Sequence, residues 1–404
     1  MITGAVKNRD RHQSYAGNTV ELKADRIEPG GNDESSTVRD FVAIVKQLAP
    51  RFAARAASVD ENDLFVADNY VDLKNHGLIS AAVPRELGGG GASHLELGEM
   101  LRELGHHCGA TALALSMHTH QVAIAAWRWR HQKAPLDGLL KRVASENIVF
   151  LSSGGSDWLQ SSGTAVRVEG GFRINARKIF SSGAPAGDLL MTSAVYEEPD
   201  SGPTVLHFAV PTKTEGVSIL PTWQVMGMRG TGSHDILLSD VFIPDTGISL
   251  RRPQGKWHPL MHIVSMIAIP LIYSAYVGVA EAARDLTTRL ARKRKPDHHV
   301  NYLIGGIENE VTAARLALDE MFAAAASNEP GLATTNRVMI GRTLVARAVL
   351  STVDLAMGAA GGSSFYRSTG LERLFRDAQA VRYHPLQEGV QRGLAGALAL
   401  GHEV

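Results

Sequence analysis

Gly361-Gly362-Ser363-Ser364-Phe365, followed by Leu371-Glu372-Arg373-Leu374-Phe375-Arg376-Asp377-Ala378, decides how the last third of the chain is read. The paired glycines separate two stretches of helical periodicity, 333–358 and 371–400. Two earlier stretches, 258–292 and 301–327, are set off by Pro296 and by Asn328-Glu329-Pro330-Gly331. Four helices of that length predict an antiparallel bundle over 251–404. Within the first, Ile263 to Val279 is nearly all apolar but carries Ser265, Pro270, Ser274 and two tyrosines. It is shorter than the ~20 residues a bilayer requires, so the expectation is a helix buried in a bundle, needing cover on most sides.

Towards the N-terminus the period changes. Thr164 to Val168, Phe172 to Asn175, Val205 to Val210 and Ile236 to Leu238 are alternating or β-rich, punctuated by Gly170-Gly171, Pro203 and Pro211. These runs predict a small β-barrel or sandwich over 149–250. Before it, Phe41, Ile44, Val45, Leu48 and Phe52, then Leu95, Met100, Leu101 and Leu104, recur at three and four, which predicts a helical domain over 36–148. Ser36 or Thr37 reads as its first cap, and residues 1–35, polar and without period, read as a mobile tail. The fold class expected is α+β, mostly α.

With 41 basic and 41 acidic side chains among 404 residues, no net field invites nucleic acid or an anionic membrane. The single cysteine, Cys108, rules out an internal disulfide framework, and the first residues lack the apolar core of a secretory signal. A cytoplasmic protein is expected. His118 and His120 sit two apart, diverge on a helix, and gain no further ligands, so no metal is expected.

Several segments together resemble the acyl-CoA dehydrogenase superfamily: Val83-Pro84-Arg85-Glu86-Leu87-Gly88-Gly89, Gly154-Gly155-Ser156-Asp157, Gly227 to Asp235, Asp240-Val241-Phe242-Ile243-Pro244 and Arg376-Asp377-Ala378. The resemblance implies an N-terminal helical domain, a central β-barrel, a C-terminal four-helix bundle and a homotetramer with flavin between subunits. Its dehydrogenases take the proton next to a thioester with a glutamate six residues after the second glycine, where this chain has Ser368. A serine hydroxyl ionises far above neutral pH and cannot be that base. The alternative base position falls near Ala268, also without a carboxylate.

The adenine-binding Arg-x-x-Phe-Gly and Gln of the dehydrogenases are replaced by Arg292-Lys293-Arg294-Lys295-Pro296 and Met357-Gly358-Ala359-Ala360, which favours FMN over FAD. Lys178-Ile179-Phe180-Ser181-Ser182-Gly183-Ala184 resembles the Phe-x-Ser-Gly pattern of the superfamily's reduced-flavin monooxygenases, dibenzothiophene monooxygenase among them. The resemblance then implies that Ser182 lies beside flavin N5, where its hydroxyl would protect a C4a-hydroperoxide. It also implies that His384, eight residues after Arg376, handles a proton at substrate, with His120 as a third catalytic candidate. Ser153, Ser156, Phe180, Ser181, Ser182, Gly361 and Gly362 are the implied flavin contacts. The expected activity is a monooxygenase that inserts one atom of O2 into a small organic substrate, with reduced FMN from a separate NAD(P)H:flavin reductase. The alternative is an FAD-dependent acyl-CoA dehydrogenase with a non-standard base.

Overall fold

The computed structural model of the chain describes residues 39–404, apart from Gly154 and the side chain of Ser156. The expected tail and the Ser36 or Thr37 cap lie outside the described residues. The first described helix, α1 (Phe41–Glu61), is capped by Asp40, whose side chain accepts the Ala43 N–H at 2.9 Å. It is followed by α2 (Ala67–Asn75), α3 (His94–His107), α4 (Gly109–Gln132) and α5 (Asp137–Glu146). A capping box starts α3: Ser93 accepts from Glu96 N, and Glu96 accepts from Ser93 N.

The middle of the chain is one eight-stranded sheet: β1 (Phe150–Ser152), β2 (Thr164–Val168), β3 (Gly171–Lys178), β4 (Leu189–Glu198), β5 (Gly202–Pro211), β6 (Val217–Leu220), β7 (Asp235–Pro244) and β8 (Ile248–Pro253). The order is β6-β7-β3-β2-β4-β5-β8, with β1 added parallel to β4, and Phe172, Ile174, Leu190, Leu206 and Phe208 fill its core. The strands continue to Pro253, past the expected boundary at 250.

Beyond them stand α6 (Pro259–Arg292), α7 (His298–Ala326), α8 (Leu332–Ala360), α9 (Leu371–Ala378) and α10 (Glu388–Ala399). The fourth helix expected over 371–400 is two helices, joined by a tight 3-10 turn over Gln379–Tyr383 and by an extended His384. Pro385 explains the break, because a proline pushes the residue before it out of the helical region.

The apolar stretch of α6 is covered within the chain. It packs against α3, α4, α7, α8 and α9, and its length and apolarity, enough to cross a membrane, coexist with burial of 94% of its most apolar window. Glycines make the closest of these contacts possible. A Cβ on Gly278 would lie 2.1 Å from the Arg102 carbonyl oxygen, and one on Gly105 would lie 2.3 Å from that of Ala275, so α3 and α6 meet backbone to backbone. The N-terminal helices and the bundle consequently share one apolar core.

Candidate active site

The site is built on the turn that leaves β3. Lys178, at the strand end, is fully enclosed. Its Nζ donates to Asp157 Oδ2 (2.9 Å), to the Ser162 carbonyl (2.7 Å) and to the Ser193 carbonyl. Burial pushes the Lys178 ammonium down in pKa against the opposing pull of Asp157. From this anchored end the turn crosses to the loop before β7: Ser181 N–H donates to the His234 carbonyl (2.9 Å) and Gly183 N–H to that of Thr231 (2.8 Å). Gly183 takes φ 79°, the left-handed region that a glycine enters without strain.

Ser182 is thereby fixed with its hydroxyl at the end of a hydrogen-bonded line. Ser233 Oγ donates to Ser182 Oγ at 2.8 Å, Thr231 Oγ1 lies 2.6 Å from Ser233 Oγ, and Thr231 Oγ1 reaches the Met228 carbonyl at 2.8 Å. The loop that carries this line is also clamped to the bundle. Met228 N–H donates to Asp377, and Arg376 donates to the Met226 carbonyl (2.8 Å) while pairing with Asp60 and Glu372. The Gly227 to Asp235 and Arg376-Asp377 motifs are thus two halves of one brace. Burial raises the Asp377 carboxyl to about 6.

Ser182 faces a cavity of about 240 Å³ between the sheet, α4 and α6. Ser153, Phe180, His120 and His384 line it too, so the structure brings together five of the residues singled out in the sequence. Ser181 does not line it; its hydroxyl is buried without a partner beneath the turn. Gly361 and Gly362 are exposed at the C-terminal end of α8 and do not line it either. The side chain of Ser156 lies outside the described residues.

His120 lies on α4, which is followed by α5 and is therefore not the last helix of its domain. Its Nδ1 is 2.9 Å from the Ser116 carbonyl. A carbonyl only accepts, so Nδ1 carries the hydrogen and Nε2 keeps its lone pair. Burial lowers the pKa of this imidazole to about 4. His118 turns the other way: Nε2 donates to the Ile79 carbonyl (2.8 Å) and Nδ1 accepts the Phe150 N–H (2.9 Å), which stitches α4 to β1 and leaves nothing for a metal. No group of three potential ligands exists among the described residues.

His384 is set by the break after α9. Its Nε2 is 2.6 Å from the Tyr276 hydroxyl on α6, and its carbonyl accepts from the buried Arg342 Nη2 at 2.8 Å. Arg342 also donates to the Arg382 carbonyl (3.1 Å), and Tyr273 to that of Val381 (3.0 Å), so the whole turn is pinned. Burial first, and the Arg342 charge second, push the His384 imidazole down to about 3. The three histidines that line the cavity, His120, His207 and His384, are all neutral at physiological pH.

Of the residues that line the cavity, Asp157 alone carries a carboxylate, and it is bound to Lys178. Ala268 lines the wall at the alternative base position, and Ser368 is exposed elsewhere. Sequence reasoning missed Tyr276, Arg342 and Thr231-Ser233. Tyr276 was hidden in an apolar run and Arg342 in an ordinary helical period. Thr231 and Ser233 stood in a quoted motif, but nothing in the sequence marked Ser182 as their neighbour.

Fold and site together define a three-part protein of helical domain, sheet and helical bundle, with a deep cavity at their junction. Acyl-CoA dehydrogenase domain models match in that order: the N-terminal domain over 34–140, the middle domain over 152–241 and the C-terminal domain over 271–388. The chain belongs to the acyl-CoA dehydrogenase family. Among its relatives, the putative acyl-CoA dehydrogenase YdbM of Bacillus subtilis is 27% identical over 86% of this chain and 93% of its own. The amino sugar nitrososynthase RubN8 of Streptomyces rubradiris is 27% identical over 89% and 90%. The solved structure of KijD3 with FMN and dTDP-3-amino-2,3,6-trideoxy-4-keto-3-methyl-D-glucose superimposes with a TM-score of 0.83 at 26% identity, covering 92% of this chain and 96% of that one. Dibenzothiophene monooxygenase (TdsC) from Paenibacillus sp. A11-2 shares the fold, with a TM-score of 0.78 at 18% identity over 90% and 98%.

Proposed function

We propose that the chain is a reduced-flavin monooxygenase that uses FMN from a separate reductase and transfers one oxygen atom from O2 to a small organic substrate. The observation that carries this reading is the cavity's equipment: three neutral imidazoles and a hydrogen-bonded hydroxyl, with the only carboxylate among the described lining residues neutralised by Lys178. Proton abstraction next to a thioester needs a free base; oxygen transfer needs positioned neutral donors and acceptors.

The residues fit a flavin ring system. The Phe180 ring, exposed beside Trp223 with centroids 4.9 Å apart, offers an apolar edge, and Ser182 offers a hydroxyl for N5. When bound, reduced flavin supplies the electrons that activate O2. Ser182 orients the ring and exchanges a hydrogen bond with N5. His120 Nε2 accepts a hydrogen bond in the cavity. His384, its ring held at Nε2 by the Tyr276 hydroxyl, stays neutral and positions substrate by hydrogen bonding. Of the aromatic, sulfur and nitrogen centres that such chemistry reaches, nitrogen has the support of RubN8, named an amino sugar nitrososynthase, and of KijD3, solved with a dTDP-linked amino sugar.

The proposed assembly is a homotetramer. Leu316, Leu344 and Val390 expose large apolar side chains on α7, α8 and α10, and Gly361 and Gly362 stand ready to meet a neighbouring subunit's flavin rather than their own. Light scattering at micromolar concentration is expected to give four chains, and a monomer would remove that role for the glycines. The flavin reading is tested by anaerobic titration with reduced FMN, oxidised FMN and FAD. Reduced FMN should bind most tightly. Tightly co-purifying FAD, bleached by an acyl-CoA thioester, would replace the proposal with the dehydrogenase.

A further inference from the structure

Where β5 and β8 back the cavity, its wall offers hydrogen-bond donors and positive charge without matching acceptors. His207, on β5, is part of the lining. Arg252, on the neighbouring β8, is enclosed and donates from Nε to His207 Nε2 at 3.0 Å. A guanidinium only donates, so Nε2 is the lone-pair nitrogen and the hydrogen of the neutral ring sits on Nδ1. Among the described residues Nδ1 has no partner. Trp158, also on the lining, has its indole N–H enclosed without an acceptor, while its carbonyl takes Arg252 Nη2 at 3.0 Å. Arg128 reaches the same cavity from α4, half-buried. Its Nε donates to Gln132 (3.2 Å), and no carboxylate among the described residues pairs with it.

The charges at this wall do not balance. Lys178 stands behind Ser193, the cross-strand partner of His207, and donates to the Ser193 carbonyl. Lys178, Arg252 and Arg128 bring three positive charges; Asp157, bound to Lys178 at 2.9 Å, brings one negative, which leaves two unmatched. Carbonyls of Trp158 and Leu159 hold Arg252 and solvate its charge without cancelling it. The His207 imidazole registers the surplus: burial first, then Arg252, His258, Lys178 and Arg128, push it down to about 3, and no carboxylate pulls it back. Burial also pushes the Arg128 guanidinium down in pKa, so its charge is only partly solvated. Two surplus positive charges beside free N–H groups match a dianion with several oxygens, such as a phosphate ester or a diphosphate. A single carboxylate would meet half of that surplus.

We propose that Arg128 and His207 seat a phosphate-type anion of the substrate, so that the molecule oxidised in this cavity is a phosphate or diphosphate ester held by its anionic end. Arg128 supplies charge and a fork of donors, and His207 supplies one donor whose position Arg252 fixes. Arg252 acts through His207 and is a positioning residue. The assignment to substrate rests on the reduced-flavin reading above. The phosphate of FMN is the other source of the same chemistry, and affinities separate the two.

The probe is inorganic pyrophosphate, titrated calorimetrically into the full-length chain with and without saturating FMN. Anaerobic titrations with reduced FMN and with reduced riboflavin, which lacks the phosphate, run beside it. Arg128→Met keeps a good helix former at a half-exposed position, so the fold is not at stake. It should weaken pyrophosphate binding by about tenfold or more, the usual effect of losing a charged donor, and leave FMN within about twofold. His207→Gln places an amide oxygen where Arg252 finds Nε2 and takes the Nδ1 hydrogen away, so it should weaken pyrophosphate by about fivefold. Loss of pyrophosphate affinity in both variants, with FMN unchanged, supports the seat. If Arg128→Met instead weakens FMN and spares riboflavin, and pyrophosphate competes with FMN in the wild-type chain, the seat belongs to the flavin phosphate; the substrate assignment is then overturned and the flavin reading stands. Pyrophosphate that binds wild type and variants alike, or none of them, overturns the seat itself. A wild-type chain that binds neither flavin overturns the reduced-flavin reading and the substrate assignment with it.

Discussion

His384 shows how far one side chain's chemistry is set by its surroundings. A proline ends the helical path beside it, Arg342 holds its carbonyl, Tyr276 holds its ring, and enclosure drives its pKa to about 3. His120 reaches about 4 chiefly by burial, with His118 pushing the same way, and its tautomer is fixed by a carbonyl. The proposed function therefore predicts that turnover has no ionisation from either histidine between about pH 5 and 8. A rate profile that falls with a midpoint near the ordinary imidazole value would contradict the enclosure. His384→Ala is expected to slow substrate oxidation by about a hundredfold or more, typical of a lost hydrogen-bonding group in a preorganised site, while flavin binding is unchanged. Steady-state rates with reductase-supplied reduced FMN, beside a flavin titration, separate the two effects.

At the scale of elements, the loop before β7 does more than connect strands. It holds the Ser182 turn on one side and α9 on the other, through Met228 to Asp377 and Arg376 to Met226. Arg376 also spans to Asp60 on α1, so three parts of the chain converge on one guanidinium. Arg376→Ala leaves the buried Asp60 only the longer Arg229 contact (3.9 Å), and is expected to cost about 3 kcal/mol, read as a lower urea midpoint with an unchanged slope. Loss of less than about 0.5 kcal/mol would reduce the brace to an ordinary surface pair. Much of this level was legible in the sequence. The helical stretches were found because amphipathic periodicity survives wherever one face meets the core. The strand β4 was missed because Leu190, Thr192, Ser193 and Ala194 are buried without alternation in mid-sheet, so no period of two remains. The break after α9 was missed although Pro385 announced it, since the apolar spacing on both sides stays in helical register.

For the whole molecule, the order of helical domain, sheet and bundle could be read from changes of period, whereas the convergence of Ser182, His120 and His384 on one cavity came only with the resemblance and was placed by the fold. Tyr276, Arg342 and the Thr231-Ser233 line act through contacts 42 to 108 residues away in sequence, which no local pattern records. Burial depresses the pKa of eight histidines: His94, His118 and His120 to about 4, His207 and His384 to about 3, and His234, His258 and His262 in the same direction. A depressed histidine stabilises the fold fully above its unfolded value of 6.5, and that contribution is lost as pH falls towards the folded value. Asp377, raised to about 6, acts in the opposite sense over part of the same window, one group against eight. Stability should accordingly fall as pH drops from about 6.5 to 4, by several kcal/mol in order of magnitude. Chemical denaturation at stepped pH checks this, and constant stability across the window would show that the histidines are solvated.

The central claim, that this cavity carries oxygen chemistry on a reduced flavin, meets its most direct test in isotope transfer. The protein is supplied with FMN, a flavin reductase, NADH and a panel of small amines, sulfides and phenols under oxygen-18 gas, and products are followed by mass spectrometry. The account predicts a product that carries one heavy oxygen atom, formed only when the reductase is present and lost in His384→Ala. It is contradicted if no member of the panel takes up label while protein-bound FAD is bleached by an acyl-CoA thioester.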